Sequence, residues 1–190
     1  MEAIAYIGPR EVAKMEAAAS SLRDKLLIRL LFRLGCRVSE AIAIKVGDID
    51  LRNSRVTILH LKTRQKLACP HCEVKLGKSH TFCPGCGQKV EQAIARAVNE
   101  RKQRIVPIDR ETISLIQKYI AQNRLLPNSL LFPIKRQMAW EVVTGAAEAA
   151  SLPRLIHTET GKMRKISPHR LRDAFAVMAV QHGDSLDNVR

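Results

Sequence analysis

Ser167-Pro168-His169-Arg170-Leu171-Arg172-Asp173-Ala174-Phe175 reads as the start of a helix with chemistry on one face. A Ser oxygen can cap the first amides, and Pro suits the first turn, where its missing N–H costs nothing. Leu171, Phe175, Met178 and Ala179 recur at helical spacing and would pin the helix to a core. His169 and Arg172 lie three apart and share a face. A guanidinium offers a rigid donor fork that fits a phosphate, and an imidazole moves a proton near neutral pH. The same two residues also suit a surface Arg and a hydrogen-bonded structural His, so other residues must decide between the readings.

Working outward, 190 residues suit one domain with a small insertion, and 46% hydrophobic residues suffice for a core. The charge is the stronger clue. With 32 basic and 18 acidic residues the chain carries +14, spread along its length rather than held in a tail. That points to a polyanion, most simply nucleic acid. A membrane surface is the alternative, but no long apolar run, signal peptide or strongly amphipathic basic helix stands out, which places the chain in the cytoplasm. Four Phe, two Tyr and one Trp are few for stacking single-stranded bases, so duplex DNA is the expected partner.

Upstream, residues 9–18 read as a helix opened by Pro9. Ser20 or Ser21 caps a second helix, whose Leu26, Leu27, Leu30, Leu31 and Leu34 give a broad buried stripe ended by Gly35. Gly35-Cys36-Arg37-Val38-Ser39-Glu40 opens a short third helix. Arg37 sits between two apolar helices, where an idle charge is costly, so either Glu40 or an anion pairs with it.

Gly47-Asp48-Ile49-Asp50 is a turn, and Arg55 to Leu61 reads as a β-branched strand ending at Lys62. Its partner is Gln103 to Ile108, with Pro107 near the end where a missing amide does least harm. The intervening stretch, roughly forty residues, is too long for a structureless loop. Cys69-Pro70-His71-Cys72 and Cys83-Pro84-Gly85-Cys86 are two knuckles separated by ten residues, the pattern of a closed tetrahedral zinc site. Four thiolates leave no position open for substrate, so Cys69, Cys72, Cys83 and Cys86 would hold a structural Zn2+. Disulfides, a redox dithiol or iron are the alternatives. Residues 88–101 look helical, and Cys36 reads as a small buried side chain.

Beyond the hairpin, Asp109 caps a helix running to about Asn123 in which Tyr119 is a packing or rim residue. Leu130 to Pro133 is a short buried segment. Met138 to Ala150 is Ala-rich and helical, with Lys135 and Arg136 before it as candidate DNA-backbone contacts. Arg154 to Ile166 is a loop or short hairpin whose Lys162, Arg164 and Lys165 are further candidates.

These pieces, in this order, resemble the tyrosine recombinases, or phage integrases, with the Xer-like microbial members nearest. The likeness rests on Gly35 to Glu40, Asp48-Ile49-Asp50, the strand ending at Lys62, Arg104-Ile105-Val106-Pro107, Leu131-Phe132-Pro133 and Pro168 to Arg172 running into Ala174-Phe175-Ala176. It covers nearly everything except residues 63–101. The resemblance implies an α+β, mainly α fold, with a catalytic core over 1–62 and 102–190 and a small antiparallel β-sheet; the four-Cys zinc ribbon read from the knuckle spacing is inserted over 63–101. It implies site-specific DNA recombination through a 3′-phosphotyrosyl link, without a catalytic cofactor, among several protomers on DNA. Arg37 and Arg172 match the arginines that hold the scissile phosphate, Lys62 the hairpin lysine that protonates the leaving oxygen, His169 the proton-transfer histidine, and Glu40 the acid that braces them.

Three departures from the pattern shape the expectation. No tyrosine stands where the family has its nucleophile, since neither Tyr6 nor Tyr119 matches, so this chain is expected to bind DNA without cutting it, as a catalytic-domain fragment would. The family's N-terminal clamping domain has no counterpart. The ribbon splits the hairpin carrying Lys62, which leaves Lys66 and Lys102 as substitutes. Asp173 also replaces a commonly seen His. The rival expectations are a non-catalytic, zinc-dependent DNA-binding or regulatory protein, and a type IB topoisomerase.

Overall fold

The leucine-rich run becomes the hub of the larger of two units. In the computed structural model, which describes residues 6–60, 66–77, 79–90, 94–96, 103–157 and 159–183, the chain divides between Leu59 and His60 and again between Lys102 and Gln103. The larger unit holds α1 (Pro9–Ala18), α2 (Leu22–Leu34) and α3 (Val38–Ile42), then β1 (Ile49–Asp50) and β2 (Arg55–Leu59). The smaller unit supplies β3 (Lys66–Ala68), β4 (Lys75–Leu76) and β5 (Ile94–Arg96). The chain returns to the larger unit as β6 (Gln103–Pro107), α4 (Arg110–Asn123), α5 (Arg136–Ala149), β7 (Leu155–Ile156), β8 (Met163–Arg164) and α6 (Pro168–Gln181).

Helix α2 is apolar nearly all round, which is the pattern of a helix enclosed by others. Leu26, Leu27, Ile28, Leu30 and Leu31 are wholly buried, and α1, α4, α5 and α6 pack around them. Ser21 starts α2 by accepting from the Asp24 amide at 3.2 Å, and Gly35 ends it in the left-handed conformation. Asp109 caps α4 in the expected way, accepting from the Thr112 amide at 2.8 Å. Ser167 does not cap α6 with its side chain; its backbone carbonyl accepts from the Arg170 amide at 2.9 Å instead. Tyr119 belongs to the core, with its ring centroid 6.2 Å from that of Phe132.

β1, β2 and β6 form one antiparallel sheet in that order, with Val56 opposite Val106 and Ile58 opposite Arg104. The turn read at Asp48 to Asp50 is a short 3-10 helix over Val46–Asp48 that leads straight into β1. β2 is described to Leu59, and Leu61 and Lys62 lie outside the described residues. β7 and β8 form the short hairpin expected between Arg154 and Ile166. Among the described residues no helix is long and apolar enough to cross a membrane.

In the smaller unit β3 pairs with β4 on one side and β5 on the other. This corrects the helical reading of residues 88–101: at Ile94–Arg96 the backbone is a strand, paired opposite Lys66, Leu67 and Ala68. Good helix formers there yield to the hydrogen bonds that β3 offers, since local propensity is the weaker term. Residues 91–93 and 97–100 lie outside the described set.

Candidate functional site

The α2–α3 junction sets the geometry of the larger unit's site. Gly35 sits at φ 53°, a backbone region in which L side chains are strained. Arg37 follows as the residue before α3, and its amide donates to Glu40 Oε2 at 2.9 Å while its Nη1 donates to Glu40 Oε1 at 3.0 Å. The Glu40 side chain is only 2% exposed. Burial alone would raise its pKa, but the Arg37 amide and guanidinium, with the charge of Arg104, hold it below the usual carboxylate range. Of the two pairings open to Arg37, the one with Glu40 is therefore formed.

That pairing does not use up the positive charge. Arg104 reaches from β6 to place Nη2 3.8 Å from Glu40 Oε2, and the same nitrogen donates to the Leu34 and Gly35 carbonyls at 3.4 and 3.5 Å. Arg172, on the first turns of α6, is close enough to feel both other arginines. Its proton is held less tightly than usual, first because it is half-buried and next because Arg37 repels it. Arg172 Nη1 and Arg104 Nε are buried without a partner among the described residues. Among the described residues three guanidiniums thus gather around the Glu40 carboxylate. A buried donor without an acceptor is costly, and an anion is what such a cluster can accept.

The remaining residues named from the sequence fall in several places. His169 is exposed on α6, with Nε2 3.8 Å from Asp173 Oδ1, while Asp173 takes a 2.6 Å bond from Arg170 Nη1. Of the two residues that helical spacing places on a common face, His169 is exposed and Arg172 is half-buried. Lys62 and Lys102 lie outside the described residues, as does the side chain of Lys66. Lys135 and Arg136 are exposed at the start of α5 and Lys162 is exposed before β8. Lys165 Nζ pairs with Glu148 at 3.0 Å, and Arg164 lines a cavity with Tyr6, His157, Arg170 and Asp173. Arg104 is the residue whose part in the site the sequence reading passed over.

The smaller unit brings all four knuckle cysteines together, with every pair of Sγ atoms within 4.8 Å. Cys69 and Cys86 are 3.7 Å apart and Cys72 and Cys83 3.4 Å, near the roughly 3.8 Å edge of a tetrahedron with 2.3 Å metal–sulfur bonds. The two knuckles repeat one backbone pattern. The Glu73 amide donates to the Cys69 carbonyl at 3.0 Å and the Gly87 amide to the Cys83 carbonyl at 2.9 Å, with Glu73 and Gly87 both at positive φ. Amides also point at sulfur: those of Cys86 and Gly85 pull the Cys83 thiol down to about 6. Gly85 is packed so closely that an added Cβ would come 2.7 Å from Val74 and 3.3 Å from Cys72 Sγ. Geometry and donor set fit a tetrahedral metal ion.

Comparison with known proteins gives a consistent answer. Residues 7–79 match the model of the phage integrase family. The tyrosine recombinase XerD of Neisseria meningitidis serogroup A is 27% identical over 193 residues, covering 93% of this chain and 50% of the relative. XerD of Bifidobacterium longum is 27% identical over 174 residues, covering 89% of this chain and 44% of its own. The chain therefore spans about half the length of the curated relatives it matches. Among solved structures, the XerA recombinase superposes with a TM-score of 0.63 at 18% identity, covering 100% of this chain and 55% of that one. The XerH recombinase in pre-cleavage complex with its difH substrate gives 0.60 at 22%, covering 99% of this chain and 46% of that one. The resemblance read from the sequence motifs is borne out in both sequence and fold.

Proposed function

We propose that this chain, a tyrosine-recombinase relative in sequence and fold, holds a phosphodiester of duplex DNA for site-specific cutting and rejoining through a phosphotyrosyl link. The observation that carries this reading is Arg172 Nη1, buried and without a hydrogen-bond partner among the described residues, in a cluster with Arg37, Arg104 and Glu40. Arg37 and Arg172 clamp the non-bridging oxygens and stabilise the charge added in the transition state. Glu40 orients Arg37 through the 2.9 and 3.0 Å bonds. His169 assists proton transfer from its exposed position on α6, and Lys62 protonates the leaving 5′-oxygen. Tyr119 is buried in the core and has no part in the phosphate site proposed here. The roles proposed for these residues are holding phosphate and moving protons. Lys135, Arg136, Lys162, Arg164 and Lys165 add contacts to the DNA backbone, and further protomers complete the assembly.

Cys69, Cys72, Cys83 and Cys86 hold a structural Zn2+, with no catalytic part. The smaller unit supports this because, among the described residues, its core is little more than Cys69, Leu76 and Cys83 with a few partly buried neighbours. So small a core cannot offset the entropy of ordering the segment, and metal binding supplies folding free energy. The cytoplasm, which keeps such thiols reduced and holds the DNA, is the fitting compartment.

The test is duplex binding followed by fluorescence anisotropy over a range of salt concentrations. Affinity should fall steeply with salt, and R37A and R172A should each reduce the logarithmic slope by about 0.9, the value for one lost phosphate contact. Slopes identical in wild type and both variants would remove the two arginines from the phosphate site.

A further inference from the structure

We propose that Arg104 is a positioning residue of the phosphate site, bridging the end of α2 and Glu40 so that Arg37 stays paired and Arg172 stays open to an anion. The inference rests on the phosphate-site reading above and adds a third arginine to it.

In an antiparallel pair, directly opposed residues project to the same face of the sheet. Arg104 lies opposite Ile58, and two positions on, Val106 lies opposite Val56. Val56 and Ile58 are buried core residues, so Arg104 projects towards the helices where alternation calls for an apolar side chain. An arginine in that phase is costly unless its charge is used.

Its contacts show the use. Nη2 lies 3.4 Å from the Leu34 carbonyl and 3.5 Å from that of Gly35, at the C-terminal end of α2 where helix carbonyls lack partners and the macrodipole favours a cation. The same nitrogen is 3.8 Å from Glu40 Oε2, the oxygen that accepts the Arg37 amide. One guanidinium thereby ties the turn preceding Arg37 to the carboxylate that orients Arg37. All three contacts fall to one nitrogen, Nη2, at the tip of the arginine side chain, whose charge is permanent and weakly hydrated. Arg104 also keeps Nε buried without a partner, facing the same shortage of acceptors as Arg172 Nη1. Arg104 and Arg37 both draw on Glu40, while Arg172 Nη1 has no hydrogen-bond partner among the described residues and is able to take up phosphate.

The test uses inorganic phosphate as the probe and thermal unfolding of the whole chain as the readout, with ionic strength held constant by chloride. Phosphate should raise the melting temperature of the wild type and have no such effect on R172A. The phosphate dissociation constant should weaken in the order wild type, R104K, R104M, by about tenfold overall, while circular dichroism shows the native fold. A role in packing alone would give R104K and R104M the same constant. Should R104M fail to fold, R104K decides: a weaker constant supports the role of the guanidinium, and a constant equal to wild type overturns it. If the wild type shows no stabilisation by phosphate, the site itself is wrong. If only R172A loses it, the site stands and Arg104 has no part.

Discussion

A Cβ built on Gly35 would stand 2.6 Å from Cε1 of Phe175, so the turn that ends α2 and the ring on α6 already fill one another's space. Arg37 follows Gly35 by two residues and Arg172 precedes Phe175 by three, so this contact fixes how closely the two arginines approach. G35A should destabilise the larger unit by about 3 kcal/mol, combining left-handed backbone strain with overpacking against the ring. Shrinking the ring should relieve part of that cost. In urea unfolding, G35A/F175A should therefore be less destabilised than the sum of the single variants, and additivity within about 0.5 kcal/mol would sink the account.

A second buried arrangement ties the first helices together. Arg29 of α2, its side chain 10% exposed, places Nη2 2.6 Å and Nε 2.8 Å from Glu16 of α1, and Nη1 2.9 Å from Glu111 of α4. The Glu16 side chain is 9% exposed and that of Glu111 69%. E16Q should cost about 3 kcal/mol because it leaves a buried cation short of its counter-charge, whereas E111Q should cost less than about 1 kcal/mol. Equal losses for the two variants, measured by urea unfolding, would show that burial does not set the value of this network.

The contrast between Arg37 and Arg104 shows what the sequence made legible. Arg37 stands in a short motif with Glu40 three residues on, and local spacing is enough to propose the pair. Arg104 acquires its meaning only from the register that sets it opposite Ile58 and from the distant carbonyls of Leu34 and Gly35. A signal was present in its phase with Val106, but the side chain's target lies some seventy residues away in the chain. The helices, the caps at Ser21 and Asp109 and the four-cysteine cluster were readable because caps, apolar periodicity and knuckle spacing are local. The strand at Ile94–Arg96 was not, because its pairing partner overrides a helix-prone composition.

Stability should fall on the acid side, and Glu40 should carry part of the loss. Its folded pKa lies below the ordinary 4.5, so ionised Glu40 stabilises the fold above that value and the contribution disappears as pH drops through the folded pKa. Asp109 behaves alike: burial opposes its charge, but bonds from Thr112 and the nearby Arg33 hold it below 3.8. E40Q should be less stable than wild type at pH 7 and show a flatter decline between pH 5 and the acid transition, followed by urea midpoints. A slope unchanged from wild type would assign the acid transition to other carboxylates.

Cys36 predicts the opposite limb. Its thiol is wholly buried and burial pushes it up to about 12, so the folded state favours the protonated form. The unfolded thiol titrates near 9. A group with a raised folded pKa stabilises the fold below its unfolded value and loses that contribution as pH climbs between the two, so stability should decline from about pH 9 towards 12. C36A should flatten that decline at a cost of less than about 1.5 kcal/mol near neutrality, since the two side chains are similar in size. Native wild-type protein should also resist alkylation at Cys36 by iodoacetamide at pH 8, with reaction at that position following global unfolding in urea; modification of the folded chain would overturn the burial argument.

Chelation separates the two units. The metal should leave with a strong zinc chelator, and hydrogen exchange should then quicken over residues 66–90 while α2 stays protected, because the larger unit has an extensive core and the core described in the smaller one is built around the cysteines themselves. Elemental analysis of the reduced protein should find about one zinc per chain. Cobalt substitution should give the intense visible bands of a tetrahedral thiolate site, and C69S or C83S should weaken them. Each knuckle supplies two sulfurs and an amide pattern that the other repeats, so C69S and C83S should lose metal affinity to a similar degree. A cobalt spectrum indifferent to either substitution would mean that the four sulfurs do not share one ion.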